Sequence, residues 1–368
     1  MLAVLPHWSV LRLPNSDSAM DAMFAVDSSS TRQQSSHFYR MVPFRLQIEC
    51  TAECSADCSY CYAKSVPTGE PLSSREIKGL LRRAANLGVK QIDWMGGDPM
   101  ERPDWIELLQ TARYNGMTNN LWTCGSRLND IGQAKWAIDL TRGGYIMVHL
   151  DSLDPEVLTS MRSSYNPLTT RDTLKGIELL EDMGKSPGEI GNMLMMTTAQ
   201  DVEDVKETMT HLYKRYNLRT CLMTLKPVDE TGKLYPLLPR PEDVAEAFRC
   251  RDHLFLGGRD MGCQDFPREY CGTTIFISLD GRVSSCYSLR RNLGSVREDT
   301  LEDIVTNASS SLFFTGFRKY SDEVVCGACD RELCWGCRAN AFYFGGGSYL
   351  KDPLCPRSGE VRKSILPY

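Results

Sequence analysis

Between residues 44 and 225, short apolar runs alternate with longer segments whose apolar residues recur at helical spacing. This alternation restricts the fold more than any other feature of the chain. Strand candidates are Phe44–Glu49, Gln91–Met95, Asn119–Thr123, Tyr145–Leu150, Asn192–Met196 and Cys221–Leu225. Between the first two, Ser73 and Glu76 form a capping box ahead of Ile77, Leu80, Leu81, Ala84 and Leu87 on one helical face. Asp154 followed by Pro155 reads as a helix cap and first helical position, and Val202, Val205, Met209 and Leu212 make another apolar stripe. Strands that alternate with helices pair in parallel, because each helix carries the chain back to the starting edge. The expected fold is α/β, with a parallel sheet that is open or closed into a partial barrel.

Further on the chain changes character. Prolines crowd between Pro236 and Pro241, a connecting helix is expected near Glu242–Arg249, and the remainder is rich in cysteine and glycine with short strands. That end is expected to form a smaller domain organised more by metal than by an apolar core. Residues 15–36 are rich in Ser, Asp and Gln and read as a flexible lead-in. The expected division is a lead-in at 1–40, a core at 41–235, a connecting helix region at 236–262 and a cysteine-rich domain at 263–368. The 368 residues are 42% hydrophobic and 24% charged, ordinary for a soluble globular chain. The net charge of −5 gives no indication of nucleic-acid binding. No apolar run approaches a membrane span, and the start lacks the basic n-region of a secretory signal.

The 15 cysteines are an odd number in a chain too large to need a disulfide scaffold, and they gather at metal-ligand spacings. A reducing, oxygen-poor cytoplasm is expected. Cys54, Cys58 and Cys61 stand as C-x₃-C-x₂-C just after the first strand candidate. A C-x₂-C pair is also a zinc-knuckle or redox signal. The third cysteine upstream and the absence of a nearby histidine favour an iron–sulfur cluster. Three thiolates hold three irons of a 4Fe–4S cube and leave the fourth open to a substrate or cofactor. The second strand candidate runs into Gly96-Gly97-Asp98-Pro99. Two glycines at the carboxyl end of a parallel strand let a ligand approach the backbone, although G-G and D-P are also ordinary turn pairs.

The cysteine loop after the first strand and the G-G-D-P turn after the second, where G-G-E-P is usual, resemble the radical S-adenosylmethionine (SAM) superfamily. The resemblance implies a partial (β/α)₆ barrel with a smaller C-terminal Fe–S domain. It implies a catalytic cluster on Cys54, Cys58 and Cys61, with SAM chelated by the open iron and cleaved reductively to a 5′-deoxyadenosyl radical. Cofactor contacts are implied for Tyr60 beside the adenine and for Gly96, Gly97, Asp98 and Pro99. They are also implied for Ser126 in Thr123-Cys124-Gly125-Ser126, where T-N-G often stands, for Asp151 in Leu150-Asp151-Ser152, and for Arg162 toward the SAM carboxylate. A solvated surface arginine is the other reading of Arg162. An external flavodoxin or ferredoxin is the implied reductant.

Cys271, Cys286, the run Cys326-x₂-Cys329-x₄-Cys334-x₂-Cys337, and Cys355 in Asp352-Pro353-Leu354-Cys355-Pro356 resemble the SPASM domain of radical SAM peptide maturases. With Cys263 they make eight thiolates, enough for two fully ligated 4Fe–4S clusters and three in the whole chain. By similarity Cys263, Cys271, Cys286 and Cys337 hold the first auxiliary cluster, and Cys326, Cys329, Cys334 and Cys355 the second. The commonest form of the quartet has later gaps one residue longer, and paired C-x₂-C units also fit zinc sites. Cys50, Cys124 and Cys221 lie in or beside strands and read as small buried apolar residues. His149 is the one histidine placed to meet a substrate, with a packed core imidazole as the other reading.

Full ligation of both extra clusters implies electron acceptance, and so a net oxidation of an unactivated C–H bond. The expected substrate is a peptide or protein side chain that is oxidised or cross-linked. Relatives acting on leader peptides carry an N-terminal recognition domain. With the short stretch before the first strand here, such a domain is expected to be absent or supplied by a separate peptide-recognition protein. Sulfatase maturases place an aspartate after the cysteine matching Cys286; Tyr287 stands here, so formylglycine formation is not expected. The segment from Cys334 to Ala341 and the D-P-L-C turn also resemble haem-biosynthetic radical SAM enzymes. Oxidation or decarboxylation of a small molecule such as a tetrapyrrole is therefore the alternative. A non-enzymatic Fe–S electron carrier is the alternative of another class.

Overall fold

The computed structural model describes residues 29–65, 69–163, 165–228, 232–256, 268–310, 336–347 and 350–355. Expectations for residues 1–28 and for Cys263, Cys326, Cys329 and Cys334 lie outside the described residues. Six strands form the body of one sheet: β1 (Arg45–Thr51), β2 (Gln91–Gly96), β3 (Thr118–Trp122), β4 (Ile146–His149), β5 (Ile190–Met196) and β6 (Arg219–Thr224). Each pairs in parallel with the next in sequence. The helices are α1 (Ser29–Arg40), α2 (Tyr62–Ser65), α3 (Ser74–Asn86), α4 (Trp105–Tyr114), α5 (Ile131–Leu140), α6 (Pro155–Met161), α7 (Pro167–Asp182), α8 (Val202–Tyr216), α9 (Pro241–Leu256), α10 (Arg268–Thr273), α11 (Leu301–Ser310) and α12 (Arg338–Gly345).

The crossover helices start where their caps dictate. Ser73 and Glu76 form both halves of a capping box on α3, and Ile77, Leu80, Leu81 and Ala84 on that helix are buried. Asp154 accepts from Glu156 N–H at the start of α6, and Asp201 from Asp204 N–H at the start of α8. Alternate residues of the strands face opposite ways. Ile92, Trp94, Ile146 and Val148 pack outward in one large core with the helices. Met95, Met147, Met195 and Met223 join Tyr60, Trp122 and Tyr145 in a separate inner cluster. The inner face of the sheet is thus lined by thioethers and rings.

The sheet does not close, as a partial barrel requires. Beyond β1 it continues into β7 (Thr274–Ile277), parallel to β1, and then β8 (Arg282–Ser284) and β9 (Gly294–Ser295), both antiparallel. Ile275, Ile277 and Val283 belong to the same core as Leu46 and Ile48. The described C-terminal strands thus share the apolar core of the barrel strands, which composition alone did not indicate. With a neighbour on each side, β1 is buried along all 7 of its residues.

A second difference concerns the lead-in, which is helical from Ser29 to Arg40. Gln34 Nε2 donates to Thr273 Oγ1 at 3.3 Å, and Phe38 is buried against Leu289 and Ala339. The polar composition concealed a helix whose order comes from docking. At the amino ends of the strands, Arg45 pairs with Asp93 at 3.2 Å and lies 4.0 Å from the centre of the Tyr270 ring, while Tyr270 OH donates to Asp93 Oδ2 at 2.8 Å. This buried network closes the end away from the cysteine loop. α9 is longer than the connecting helix expected from Glu242 to Arg249.

Candidate active site

The loop after β1 carries Cys54, Cys58 and Cys61 and is pinned from two sides. On one, Gly97 N–H donates to Thr51 O at 2.7 Å, Asp98 N–H to Glu53 O at 2.6 Å, and Ser55 N–H to Glu101 Oε1 at 2.8 Å. On the other, Cys58 bridges Arg162 just past α6. There Ser59 N–H donates to Met161 O at 2.9 Å, and Ser163 N–H to Asp57 O at 3.1 Å. Gly96 has φ +124°, open only to glycine, and a Cβ on Gly97 would collide with the Glu53 carbonyl. The close approach expected of a ligand is made by the cysteine loop itself, although both glycines also line the cavity beside it.

That cavity holds about 460 Å³ and is lined by all three cysteines, Tyr60, Tyr62, Trp122, His149, Tyr287 and the methionines Met95, Met147, Met193 and Met195. A larger groove of about 1390 Å³ runs from the same loop past β7 and β8 to Phe342 and Tyr343 of α12. Asp57, Cys58, Cys61 and Lys64 line both spaces, so the cysteine loop is the partition between them.

Of the residues expected at the cofactor, Tyr60, Gly96 and Gly97 lie on the cavity wall; Asp98, Pro99, Ser126, Asp151 and Arg162 lie behind it. The reason is visible in their hydrogen bonds. Asp98 Oδ2 accepts from Thr123 Oγ1 at 2.7 Å, Cys124 N–H at 3.0 Å and Cys124 Sγ at 2.8 Å, and Oδ1 accepts from Met100 N–H at 2.9 Å. Its carboxylate thus joins the turn after β2 to the turn after β3. Burial, with Cys124 close by, pushes the Asp98 carboxyl well above the usual range. Pro99 opens the short 3₁₀ turn that Asp98 caps, and Ser126 Oγ faces Cys124 Sγ at 3.3 Å.

Asp151 is a second buried hub. Its Oδ1 meets His149 Nε2 at 2.9 Å and accepts from Met195 N–H at 2.9 Å. Its Oδ2 accepts from Tyr60 OH and from Arg162 Nη2 at 3.3 Å. Burial alone would raise this carboxyl, but His149, Arg162 and Tyr60 hold it well below its usual value. Arg162 is accordingly buried behind Cys58 rather than solvated, and its Nη2 also donates to His149 O at 3.2 Å. Burial pushes the Cys58 thiol up to about 12 despite Arg162. Cys58, His149 and Asp151 place ligand atoms within 4.8 Å of one another, but both Asp151 oxygens are already engaged.

The chain's own residues fit an iron–sulfur group at the loop. Its donor set is three soft sulfurs on one wall, the type such clusters take. Trp122 Nε1 and Tyr62 OH are buried without a hydrogen-bond partner among the described residues, and both residues line the same cavity. Farther along, Cys271, Cys286 and Cys337 pack in one cluster with Phe38, Leu289 and Ala339. Cys337 N–H donates at 2.7 Å to Asp352 in the turn that carries Cys355. The fourth member of that expected set, Cys263, lies outside the described residues.

Residues 48–212 match the family described as the radical SAM superfamily, and residues 269–337 match SPASM, described as an iron–sulfur cluster-binding domain. The chain belongs to the radical SAM superfamily. This radical SAM protein carries a C-terminal SPASM domain and is an enzyme of that class; the two domains imply 4Fe–4S clusters and SAM binding. It is 25% identical over 83% of its length to the AdoMet-dependent heme synthase of Methanosarcina barkeri, covering 94% of that protein. It is 27% identical over 86% of its length to the PqqA peptide cyclase of Xanthomonas euvesicatoria, covering 88% of it. Among solved structures it is similar in fold to Streptococcus suis SuiB bound to the precursor peptide SuiA. The TM-score is 0.61 at 16% identity, over 88% of this chain and 79% of that one.

Sequence reasoning left one feature of the radical SAM site open and missed another. His149 does line the cavity, held by Asp151 and by Tyr60 OH at 3.1 Å. Cys124 is no inert apolar filler; it faces the cavity and Asp98. Its place in the T-C-G-S turn, right after a strand that ends at the site, was the available signal. Among the described residues no helix is long and apolar enough to cross a membrane.

Proposed function

We propose that this radical SAM enzyme oxidatively modifies or cross-links a side chain of a peptide or protein. The observation that carries the reading is the pairing of a smaller cavity with a larger groove on the two sides of the cysteine loop. Small-molecule pockets hold roughly 300–1,000 Å³. The inner cavity of about 460 Å³ suits one such molecule, whereas the groove of about 1390 Å³ exceeds the range. The inner space would take SAM, and a peptide lying in the groove would reach past Cys58 and Cys61 with one side chain. The likeness to a PqqA peptide cyclase and to SuiB with its precursor peptide supports this.

Cys54, Cys58 and Cys61 would hold a 4Fe–4S cluster, which with SAM supplies a 5′-deoxyadenosyl radical. Around it the chain's residues position and shield. The hydrogen bonds from Gly97 and Asp98 fix the cysteine loop, Asp151 fixes Tyr60 and His149, and Met95, Trp122, Met147 and Met195 exclude water from the inner space. Tyr287 lines the inner cavity one residue after Cys286, so the wall of the site passes directly into the first auxiliary set. That set is Cys263, Cys271, Cys286 and Cys337; the second is Cys326, Cys329, Cys334 and Cys355, making three 4Fe–4S clusters in all. The reductant is a flavodoxin or ferredoxin, and a separate peptide-recognition protein delivers any leader-bearing substrate.

The likeness to AdoMet-dependent heme synthase favours a second reading, oxidation of a small molecule such as a tetrapyrrole. One experiment separates the two. Reconstituted, reduced protein is incubated with SAM and with a fractionated native extract. A peptide lighter by two hydrogens, formed together with 5′-deoxyadenosine, supports the first reading. A modified species confined to the small-molecule fraction supports the second. Cys58→Ala should abolish 5′-deoxyadenosine, and absence of that product from the unsubstituted protein would sink both readings.

A further inference from the structure

The groove beside the cysteine loop carries a charge opposite to that of the chain. Its walls come from the cysteine loop with α2, from the stretch after β6 that bears Lys233, and from β7 and β8 with the loop that follows. Among the described residues five cationic side chains line it, Lys64, Lys233, Arg282, Arg290 and Arg291, against one carboxylate, Asp57. The whole chain has a net charge of −5. An outer crevice of about 1000 Å³ at the starts of α6 and α8 has the opposite balance, with six carboxylates, one arginine and no lysine among the described residues that line it. The positive charge is therefore no general property of the surface. Three of the five cations are already matched: Lys64 pairs with Asp57, Arg282 Nε lies 2.9 Å from Asp280 Oδ2, and Arg290 Nη2 lies 2.6 Å from Glu49 Oε1. Arg290 is also held 5.2 Å from the centre of the Tyr62 ring and 5.1 Å from that of Phe276. Its neighbour Arg291 is exposed. The Arg291 backbone N–H donates to Leu289 O at 2.9 Å, but its side chain makes no hydrogen bond or ion pair among the described residues.

We propose that the groove selects an acidic peptide, whose carboxylates beside the residue to be modified pair with Arg291 in the field of the other groove cations. The proposal rests on the peptide reading above and narrows it to a substrate class. Like charges gathered in a cleft with protein walls reinforce one another and draw in a ligand of the opposite sign. A guanidinium presents a planar fork that takes a carboxylate through two hydrogen bonds, so an arginine without a protein partner is suited to that ligand. The segments that supply Lys233 and Arg291 follow β6 and β8, which stand at or next to opposite edges of the sheet. A ligand that meets both is extended, as a peptide is, and the groove of about 1390 Å³ exceeds the usual small-molecule range.

The test uses the full-length reconstituted protein without oxygen and three fluorescent nonapeptides that alternate alanine with glutamate, glutamine or lysine. Binding is read by anisotropy. At about 0.01 M salt the glutamate peptide should bind about tenfold more tightly than the glutamine peptide, and the lysine peptide should bind weakest. The advantage should shrink at about 0.15 M salt, as the screening length falls from about 30 Å to about 8 Å. Arg291→Glu should weaken the glutamate peptide by about tenfold at low salt, with iron content and urea midpoint unchanged. Lys233→Glu should weaken it in the same direction. Lys135→Glu, exposed on α5 and away from the groove, changes the net charge equally and should leave binding as it was. Equal affinity for the glutamate and glutamine peptides, or an equal loss from Lys135→Glu, overturns the inference while the peptide reading stands. Binding of a free tetracarboxylate with no binding of the glutamate peptide also overturns it, and moves support to the small-molecule reading. The peptide reading itself is judged by the mass change in the native extract, so its failure is seen separately.

Discussion

A cysteine spacing is readable because all three sulfurs belong to one short loop, whose closure brings them together whatever surrounds it. The residues behind the loop are a different matter. Asp98, Asp151 and Arg162 occupy positions that a turn pattern marks, but the pattern does not say whether a carboxylate faces a ligand or a neighbouring turn. Asp98 is engaged by Thr123 and Cys124, and Asp151 by Tyr60, His149 and Arg162. Gly97→Ala tests the supporting role directly, since its Cβ would meet backbone that cannot swing aside. Overpacking of this kind costs roughly 1–3 kcal/mol. Gly88, unlike Gly97, has positive φ, but a Cβ there meets nothing within 4 Å, so Gly88→Ala carries only the conformational strain. The expected outcome is a lower urea midpoint and less iron at the N-terminal loop for Gly97→Ala than for Gly88→Ala; equal losses would show that the Glu53 contact is not what requires glycine. Asp151→Ala leaves the Arg162 guanidinium buried without its partner carboxylate, a change worth about 3–5 kcal/mol. Thermal melts of Asp151→Ala and Asp151→Asn should both shift down, the alanine variant further.

Elements with strong local signals, such as the Ser73 capping box on α3 and the Asp154–Pro155 start of α6, form where their sequence says. α1 has no comparable stripe. Its place is set by Phe38, which packs against Leu289, Ala339 and the cysteines Cys271, Cys286 and Cys337. That contact joins residues far apart in the chain, and local pattern cannot carry it. Phe38→Ala should cost about 3 kcal/mol and lower iron in the C-terminal set while leaving the N-terminal loop loaded. Loss of stability with C-terminal iron unchanged would limit α1 to a packing role. α3 offers a pH-dependent counterpart. Arg297 first, and then Ser73, hydrogen-bond Glu76 and hold its carboxyl at about 2 against 4.5 unfolded. A carboxyl depressed on folding stabilises the fold above its unfolded value, and that stability is lost as pH falls from about 4.5 toward 2. The site is open to solvent, so the pair contributes at most about 1 kcal/mol. Urea midpoints of the wild-type chain and Glu76→Gln should therefore differ slightly at pH 7, and the difference should shrink steadily as pH falls from about 4.5 toward 2. A gap that stays constant over that range would assign the effect to side-chain shape instead of charge.

On the scale of the molecule, a reading of sequence in segments places the cysteine-rich end apart from the barrel, because composition changes sharply near Pro236–Pro241. The sheet crosses that boundary, through pairing between distant strands that no local composition can encode. β7 pairs with β1 from Arg45↔Thr274 to Ile48↔Ile277. At one end of β1, Tyr270 completes the Arg45–Asp93 network; at the other, Glu49 binds Arg290 Nη2 at 2.6 Å and accepts from Leu279 N–H at 3.0 Å. Burial raises the Glu49 carboxyl even with Arg290 beside it, so without that partner the carboxyl would lose still more of its charge. A fragment ending at residue 256 would lose all of these at once. It would expose Leu46 and Ile48 along an unpaired edge, the arrangement that templates aggregation. The expected outcome for residues 29–256 is an aggregated product, or a soluble one without a cooperative urea transition, while the full chain is monomeric under the same conditions. A monomeric fragment that unfolds cooperatively and still binds iron at Cys54, Cys58 and Cys61 would mean that β1 does not need β7. The C-terminal domain would then be an attachment to the radical SAM core and not the completion of its sheet.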